Sequence, residues 1–286
     1  MTILEVIQRS ADYLGKHGVD SPRLQAELLL AHLLGMPQMR LYLEFERMLG
    51  EPELTALWEL VKRRGRREPL QHLVGSVSFC GLELAVSRHV LVPRPETELL
   101  AEAAWGFLES VEASPSVALD LCTGSGCLAI ALAAKCPRAE IHAADLSPEA
   151  LGVARGNAVR HGVAARIAFH EGDLFMPLPA GLLLDLIVSN PPYIPAGDIA
   201  TLDPEVRDWD PRLALDGGEA GLDFYRRIAA EGLSRLQPGG RLLAEFGDGQ
   251  AEGVSEIFTA AGWRVNAVRA DLTGQPRIVI ASADGS

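Results

Sequence analysis

The sequence predicts a doubly wound α/β fold, in which a mostly parallel sheet of about seven strands follows a small helical bundle. Apolar positions recur at helical spacing in residues 1–72, and they become short runs around Gly81 in residues 73–93. Residues 94–286 then alternate short apolar runs with helical segments. We therefore expect an N-terminal helical domain at 1–72, a β-hairpin linker at 73–93 and an α/β domain at 94–286.

The first 72 residues carry the start and stop signals of several helices. Thr2 and Glu5 fit a capping box at the beginning of the first helix. Ser21-Pro22 is typical of an N-cap followed by proline at the first helical position, and Gly35 is placed to end that helix. Another helix follows Pro52. These signals predict a helical bundle, and they carry no evident chemistry.

Short apolar runs divide the α/β domain. Strands are predicted at residues 117–121, 141–145, 166–170, 184–189, 240–246, 263–269 and 277–281. Helices at 128–134 and 148–161 follow the first two strands, and this alternation is what predicts the parallel sheet. Residues 194–221 form a long loop-like stretch, and long loops in compact domains are often functional.

The bulk composition is that of a globular protein, with 48% hydrophobic and 22% charged residues among 286. No apolar run reaches the roughly 18 residues that a membrane span needs, and the N-terminus lacks the features of a signal peptide. We therefore expect a cytoplasmic protein without membrane contact. The net charge of −12 argues against direct nucleic-acid binding, and we interpret the basic run at 62–67 as a solvated helix end.

The cysteines and histidines give little support to a metal site. The four cysteines, Cys80, Cys122, Cys127 and Cys136, form no C-x-x-C pair, which is the usual spacing of zinc ligands. The seven histidines are scattered and include no H-E-x-x-H motif. We therefore expect buried free thiols and no bound metal.

A glycine-rich turn joins the first predicted strand of the α/β domain to its helix, and its residues are Cys122, Thr123, Gly124, Ser125 and Gly126. Glycines let a ligand approach the backbone, and the helix N-terminus behind them suits a carboxylate or phosphate. Asp145 ends the next strand, where a carboxylate can accept both hydroxyls of a ribose. The same glycine spacing also fits the dinucleotide fingerprint, so NAD remains an alternative ligand at this point.

Asp173 follows the third predicted strand of the α/β domain. A carboxylate at that place in a nucleotide-binding sheet can meet the amino group of an adenine. Taken alone, however, Asp173 is more typical of a plain loop residue or a helix cap. Its assignment to a binding site therefore depends on the glycine turn and Asp145.

Asn190-Pro191-Pro192-Tyr193 follows the fourth predicted strand and indicates the chemistry. The Asn190 side-chain oxygen and the Pro191 carbonyl can accept the two hydrogens of a planar NH₂ group and hold its nitrogen in line with a sulfonium methyl. Pro191 and Pro192 fix the backbone, and Tyr193 can pack on the planar group. Such a site needs no strong base. A rigid turn without a ligand is the alternative, which the glycine turn and Asp145 disfavour.

Together these motifs resemble the class I S-adenosylmethionine methyltransferases, and more narrowly the HemK-type protein-(glutamine-N5) methyltransferases that modify peptide chain release factors. The resemblance covers nearly the whole chain. It includes residues 21–32 of the helical domain and Leu91-Val92-Pro93-Arg94-Pro95-Glu96-Thr97-Glu98 before the α/β domain. It also includes residues 210–215 and 217–225 after Tyr193.

The resemblance implies a Rossmann-like methyltransferase sheet, S-adenosylmethionine as cofactor and S-adenosylhomocysteine as product. It implies that the substrate is the glutamine of the Gly-Gly-Gln motif in class 1 peptide chain release factors, methylated at N5, with the helical domain docking that substrate. The implied catalytic residues are Asn190, Pro191, Pro192 and Tyr193. The predicted cofactor-binding residues are Cys122, Thr123, Gly124, Ser125, Gly126, Asp145, Asp173, Leu174 and Asn190.

The chain departs from the family pattern at four positions. His72 and Trp209 replace frequent tyrosines, Cys80 replaces an aromatic residue, and Asp210 replaces a glutamate. His72 directly precedes the linker, Cys80 lies in it, and Trp209 and Asp210 lie in the segment after Tyr193. These positions bear on substrate recognition rather than on methyl transfer.

Three points stay open at the level of sequence. An adenine-N6 methyltransferase acting on DNA or RNA uses the same tetrapeptide or close variants of it; the acidic charge argues against this alternative, and the resemblance outside the tetrapeptide favours glutamine. A sister family methylates a glutamine of a ribosomal protein, but it usually reads R-S-P in place of Arg94-Pro95-Glu96. Arg94, Glu96 and Glu98 themselves fit either a helix start or a rim that touches cofactor or substrate.

Overall fold

The computed structural model describes residues 1–112 and 115–283. The chain divides into two compact units. The first contains Met1–Ser76 and also the short segment Asp203–Trp209, whereas the second contains Val77–Leu202 and continues from Asp210 onward. The sequence placed the first boundary at residue 72 and assigned residues 203–209 to the α/β domain, so the structure differs in grouping that segment with the helices.

Eleven α-helices lie within the described residues. In the first unit these are α1 (Ile3–Lys16), α2 (Pro22–Leu34), α3 (Gln38–Leu43), α4 (Glu51–Gly65), α5 (Leu70–Val74) and α9 (Pro204–Arg207). In the second unit they are α6 (Pro95–Ser110), α7 (Cys127–Lys135), α8 (Pro148–Arg160), α10 (Asp223–Gly232) and α11 (Ala251–Ala260). None of them is long and apolar enough to cross a membrane.

The helical unit confirms most of the predicted helix boundaries. Thr2 and Glu5 form the reciprocal capping box, and Gly35 ends α2 with φ of 61°. Ser21 is the N-cap residue of α2 and Pro22 opens the helix, as predicted, but Ser21 has a left-handed backbone (φ 46°) and its side chain makes no cap hydrogen bond. A cap of this kind needs an extended backbone at the N-cap residue. Pro52 lies in the first turn of α4, as expected.

The basic run at the end of α4 is not a solvated helix end throughout. Arg64 is only 4% exposed, and its guanidinium donates to Glu205 Oε1 at 2.7 Å. Arg67 donates to the same oxygen at 2.6 Å, and Glu205 belongs to the segment grouped with this unit. Arg63 pairs with Glu68. The sequence interpretation was wrong here because the acidic partner lies far along the chain.

A β-hairpin follows α5, but it is shorter than the predicted 73–93 segment. Its strands are β1 (Ser76–Phe79) and β2 (Leu82–Ala85). The connecting residues Cys80 and Gly81 have φ of 50° and 77°, which is typical of a two-residue type I′ turn. Residues 73 and 74 belong to α5, and Pro93 cannot donate to a strand ladder.

The sheet of the second unit has seven strands, as predicted. They are β3 (Val117–Leu121), β4 (Glu140–Asp145), β5 (Ile167–Glu171), β6 (Leu184–Ser189), β7 (Leu236–Glu245), β8 (Trp263–Ala270) and β9 (Pro276–Ala283). Their spatial order is β5-β4-β3-β6-β7-β9-β8. The first five strands are parallel, and β9 pairs antiparallel with both of its neighbours.

Helices cover both faces of this sheet, as expected for a doubly wound fold. The hydrophobic core on one face is built with α6, α7 and α8, and the core on the other face with α10 and α11. The chain order reverses between β3 and β6, and ligands of such sheets bind outside the carboxyl ends of the strands at that point. Both predicted motifs follow these two strands.

Candidate active site

The glycine turn, residues 122–126, joins the carboxyl end of β3 to α7. Positive φ values occur at Cys122 (60°), Gly124 (54°) and Gly126 (80°). A Cβ atom on Gly126 would lie 3.0 Å from the Cβ atom of Ala154 in α8. Glycine is therefore required there both for its backbone conformation and for the close approach of the turn to α8.

Asp120 holds the turn from within β3. Its Oδ2 atom accepts hydrogen bonds from the Thr123 hydroxyl at 2.6 Å and from the Ala129 N–H at 3.0 Å. Burial raises the pKa of this carboxyl to about 7, and the two hydrogen bonds oppose the rise. Asp120 thus ties the turn to the first turn of α7. An acidic residue inside an otherwise apolar strand is the sequence signal for this role.

Asp145 ends β4 and faces the same turn. Its Oδ2 atom accepts the Gly124 N–H at 2.8 Å, and its Oδ1 atom accepts the Ser147 N–H at 2.9 Å. Burial raises the pKa of the Asp145 carboxyl, while hydrogen bonds from the backbone lower it. Because each carboxylate oxygen has two acceptor positions, both oxygens can accept a further donor such as a ribose hydroxyl.

A cavity of about 200 Å³ lies at the carboxyl ends of β3, β4, β5 and β6. The predicted site residues that line it are Cys122, Gly124, Asp145, Asp173, Leu174, Asn190 and Pro192. The other predicted site residues, Thr123, Ser125, Gly126, Pro191 and Tyr193, are not part of this lining. Thr123 and Ser125 are buried within the turn itself. The structure thus brings residues from four strand ends to one cavity.

Asp173 and Leu174 follow β5 and line one side of the cavity. Leu174 is buried and has a left-handed backbone with φ of 45°. Asp173 Oδ2 accepts from Arg227 Nη2 at 2.5 Å. The alternative that Asp173 caps a helix is wrong, because the residues after it form an isolated turn. Pro177 lacks the N–H that a continuing helix would need.

Asn190 follows β6 and reaches the cavity from the strand next to β3. Its Nδ2 atom donates to the hydroxyl of Thr97 at 3.1 Å. Thr97 lies in the first turn of α6 and is 2% exposed. The amide of Asn190 is therefore held by a buried side chain.

Tyr193 is fixed by contacts with the loop after β7. Its carbonyl accepts a hydrogen bond from Gln250 Nε2 at 2.9 Å, and Gln250 Oε1 accepts the Gly247 N–H at 2.9 Å. A Cβ atom on Gly247 would lie 2.9 Å from the Tyr193 ring, so the ring packs directly on that backbone. Burial raises the pKa of Tyr193 to about 12, and the phenol is neutral at physiological pH.

The segment after Tyr193 returns to the tetrapeptide rather than extending away from it. The Ile194 N–H donates to the Leu215 carbonyl at 3.0 Å, and the Gly217 N–H donates to the Ile194 carbonyl at 2.9 Å. A Cβ atom on Gly217 would lie 2.8 Å from the Pro192 carbonyl oxygen. Backbone hydrogen bonds therefore join the start of this loop, at Ile194, to its return at Leu215 and Gly217.

Two of the three residues left open by the sequence have defined contacts. Arg94 Nη2 donates to Asp210 Oδ2 at 2.8 Å, and burial raises the pKa of the Asp210 carboxyl to about 6 although Arg94 lowers it. Glu98 Oε1 accepts the Cys80 N–H at 2.9 Å and so anchors the hairpin turn. Glu96 is exposed and lines no part of the cavity.

Of the four departures from the family pattern, Cys80 and Asp210 take part in these contacts. Trp209 belongs to the segment grouped with the helical unit, and His72 lies in α5. Neither of these two lines the cavity. Within residues 1–112 and 115–283, no group of three histidines, cysteines or acidic residues could hold a metal ion.

Sequence reasoning missed several residues that line or support the cavity. The additional lining residues are His89, Val90, Leu91, Ala144, Leu146, Ser147, Ala150, Gly172, Pro211, Leu213, Ala214, Phe224 and Arg227. Asn157 in α8 is fully buried and donates to the Ser125 carbonyl at 3.0 Å, which supports the turn. Asn157 also bonds both backbone groups of Ala85 in β2. A buried asparagine in a helix gave no periodic signal.

Known proteins with similar sequences match both parts of the chain. Residues 5–75 match the family described as PrmC N-terminal domain, and residues 101–202 match the family described as methyltransferase small domain. A methyltransferase structure from Pyrococcus furiosus aligns with a TM-score of 0.53 and 19% identity, covering 77% of this chain and 97% of that one. At this identity the likeness concerns the fold alone.

Two curated relatives are similar along the whole chain. The release factor glutamine methyltransferase of Geobacter sulfurreducens is 44% identical over 280 residues, covering 97% of this chain and 95% of the relative. The protein of the same name from Deinococcus radiodurans is 44% identical over 285 residues, covering 100% of both. Because this identity extends over helical unit, hairpin and sheet alike, the chain belongs to the release factor glutamine methyltransferase family.

Proposed function

We propose that this chain methylates the side-chain amide nitrogen, N5, of the glutamine in the Gly-Gly-Gln motif of class 1 peptide chain release factors. One observation carries the proposal: the amide of Asn190 borders the same cavity as the carboxylate of Asp145. An amide acceptor and a ribose acceptor at one cavity suit the meeting of a glutamine with a nucleoside-bearing methyl donor. Membership of the family supports the same substrate.

S-adenosylmethionine is the cofactor, and it supplies an electrophilic methyl group carried on a sulfonium. The donor set of the cavity fits this molecule. Asp145 offers carboxylate oxygens to the ribose, and the backbone of Gly124 is open to a close approach because nothing but Cys122 O lies within 4 Å of a Cβ there. Leu174 and Phe224 provide apolar walls beside Asp173.

We assign the remaining predicted cofactor residues to the support of this site. Thr123 bonds Asp120, and the Ser125 carbonyl is held by Asn157. Gly126 allows the turn to pack against α8. These residues shape the turn without lining the cavity, so they act through the position of Gly124 and Cys122.

The residues of the tetrapeptide position the substrate nitrogen. The Asn190 Oδ1 atom and the carbonyl of Pro191, which lies between the lining residues Asn190 and Pro192, accept the two hydrogens of the glutamine NH₂. This directs the nitrogen toward the donor. The same acceptors stabilise the positive charge that develops on the nitrogen. No general base is needed, since the surplus proton leaves to water after transfer. Tyr193 is neutral and serves packing rather than proton transfer.

We propose release factors as the protein partner and the cytoplasm as the place of the reaction. The net charge of −12 disfavours a nucleic-acid substrate, because binding to a phosphate backbone depends on cationic neutralisation. The basic run at 62–67 does not provide a free cationic surface, since Arg63, Arg64 and Arg67 are paired with Glu68 and Glu205.

Radiolabel transfer from S-adenosylmethionine to purified release factor tests this function, with DNA and RNA as competing substrates. We expect label in release factor alone. The variant Asn190→Ala should bind S-adenosylhomocysteine as the wild type does and transfer no measurable label. Label in nucleic acid alone would overturn the proposed substrate, and normal turnover by Asn190→Ala would overturn the proposed mechanism.

A further inference from the structure

A buried polar cluster of Thr97, Asn190 and Glu245 lies at the end of the sheet. In the parallel pair of β6 and β7, Ser189 is opposite Ala244, so Asn190 and Glu245 occupy adjacent positions one residue further along. Thr97 reaches them from the first turn of α6. The exposed fractions of Thr97 and Glu245 are 2% and 3%. Neither residue lines the cavity, and only Asn190 does.

The Asn190 amide acts as a hydrogen-bond donor within this cluster. The Thr97 hydroxyl accepts from Asn190 Nδ2 at 3.1 Å, so its own proton is directed to another acceptor. The carboxyl of Glu245 hydrogen-bonds with the Thr97 side chain. An ionised carboxylate accepts hydrogen bonds and donates none. The carboxyl of Glu245 also hydrogen-bonds with the Asn190 side chain. In its ionised form Glu245 therefore accepts from both neighbours, and the Asn190 Nδ2 donates into the buried cluster.

We propose that Thr97 and Glu245 are positioning residues that fix the rotation of the Asn190 amide, with Nδ2 toward the protein and Oδ1 toward the substrate. This inference rests on the proposed function, because it concerns the acceptor that meets the glutamine NH₂. A rotated Asn190 amide would turn its own NH₂ to the substrate NH₂. Two donors would then face each other, and the glutamine nitrogen would lose its alignment.

Burying the carboxyl of Glu245 costs solvation free energy, and its role as a hydrogen-bond acceptor explains why it is there. Burial raises the pKa of its carboxyl to about 7, and hydrogen bonds from Thr97 and Asn190 oppose that rise. The other charged groups that act on it are Glu96 and Arg277. Its Oε2 atom has no hydrogen-bond partner among the described residues. A glutamine in its place would bring an NH₂ donor that can donate to Thr97. The Thr97 hydroxyl could then donate to Asn190 Oδ1, and the Asn190 amide could rotate.

Steady-state kinetics with release factor, together with the dissociation constant of S-adenosylhomocysteine, test this inference. Thr97→Val and Glu245→Gln should each lower kcat about 10–100-fold, the range expected for misplacement of a reacting group, with KM and the dissociation constant unchanged. Thr97→Ser keeps the hydroxyl and should restore most of the turnover. Thr259→Val is the control, since that hydroxyl bonds only a carbonyl within α11. The double variant Thr97→Val/Glu245→Gln should lose no more than the worse single variant, because both act through Asn190.

Each outcome decides the inference. An unchanged kcat in folded Thr97→Val, or a loss in Thr97→Ser equal to that in Thr97→Val, would overturn it. If Thr97→Val does not fold, an unchanged kcat in the isosteric Glu245→Gln overturns it alone. A rise in the dissociation constant with unchanged kcat would show a role in cofactor binding instead. If the wild type itself transfers no methyl group to release factor, the proposed function fails and the inference falls with it.

Discussion

At the scale of single residues, two aspartates beside the glycine turn have different partners. Asp120 bonds within the protein to Thr123 and Ala129, whereas Asp145 bonds backbone groups and also borders the cavity. Asp120 therefore serves the fold of the turn. Asp145 is left with free acceptor positions, and it is the residue that we expect to contact the ribose.

Replacing Asp145 by asparagine tests its role in binding. Asp145→Asn puts an NH₂ donor among the donors of Gly124 and Ser147 and removes the charge that attracts the ribose hydroxyls. Loss of hydrogen bonds to a charged group should weaken the binding of S-adenosylhomocysteine about 10–100-fold. Calorimetry measures this change. Glu171 is the register partner of Asp145 on β5 and is exposed, so Glu171→Gln should leave the affinity unchanged.

Asp120 should make the stability of the protein depend on pH. Its pKa is about 7 in the folded state against 3.8 as the ordinary value, so the folded state binds the proton more tightly. The stabilisation is fully present below pH 3.8 and is lost as the pH rises toward 7. The unfolding free energy of the wild type should therefore fall relative to that of Asp120→Asn across this window. Chemical denaturation at several pH values measures it, and parallel pH curves would contradict the assignment.

At the scale of elements, the loop after Tyr193 depends on a close glycine contact. Gly221 has φ of 70°, and a Cβ atom there would lie 2.2 Å from the Tyr193 carbonyl oxygen and 2.6 Å from Gln250 Nε2. These are the two atoms of the hydrogen bond that holds the tetrapeptide. An alanine at position 221 would therefore displace both the loop and Gln250.

Gly221→Ala should lower the free energy of unfolding by clearly more than the left-handed backbone conformation alone would cause. Gly181 has a similar φ of 76° with nothing within 4 Å of its Cβ position, so Gly181→Ala gives the cost of the backbone, about 1 kcal/mol. We expect Gly221→Ala to exceed it by at least about 1 kcal/mol because of the steric clash, and to lower kcat as well. Equal losses of unfolding free energy in the two variants would refute the contact.

The sequence predicted most elements of the sheet because their apolar runs are buried. The runs at 117–121 and 184–189 coincide with β3 and β6 to the residue. Short helices and local turns were harder to predict. The last two residues of α5 fell within the expected hairpin, and the Ser21 side chain makes no cap bond because the backbone at Ser21 is left-handed. Local turn geometry of this kind depends on neighbours that periodicity does not report.

The candidate site was predictable only where its residues come from contiguous motifs. The glycine turn, Asp145 and Asn190 are each marked by spacing after a strand, and the structure brings them to one cavity. Thr97, Glu245 and Gln250 carry no such mark, since their contacts join parts of the chain far apart in sequence. A pattern within one segment cannot show which distant residue completes a hydrogen bond.

At the scale of the whole molecule, the chain leaves the second unit at residue 202 and returns to it at residue 210. The intervening segment carries Glu205, whose Oε1 atom accepts from Arg64 and Arg67 within the helical unit. Residues 203–209 are therefore held within the helical unit by these ion pairs. Pairing with Arg64 and Arg67 lowers the pKa of the Glu205 carboxyl, although burial raises it.

Glu205→Ala should destabilise the protein by about 2 kcal/mol, because Arg64 would remain buried without its charged partner. The loss should be smaller than for a fully enclosed ion pair, since the Glu205 side chain is 19% exposed. Thermal and chemical unfolding measure it. Asp208 lies in the same segment and pairs with Arg207 at the surface, so Asp208→Ala should leave the unfolding temperature unchanged. Equal unfolding curves for the two variants would contradict the anchoring role.

The central claim is that this chain methylates a release factor at its Gly-Gly-Gln glutamine. Tandem mass spectrometry of a class 1 release factor, after incubation with the enzyme and S-adenosylmethionine, tests this claim most directly. We predict a mass gain of one methyl group on the peptide that contains the motif, with fragment ions placing it on the glutamine side chain and no gain with Asn190→Ala. A methyl group on any other residue, or an unmodified motif after complete incubation with active enzyme, would contradict the claim.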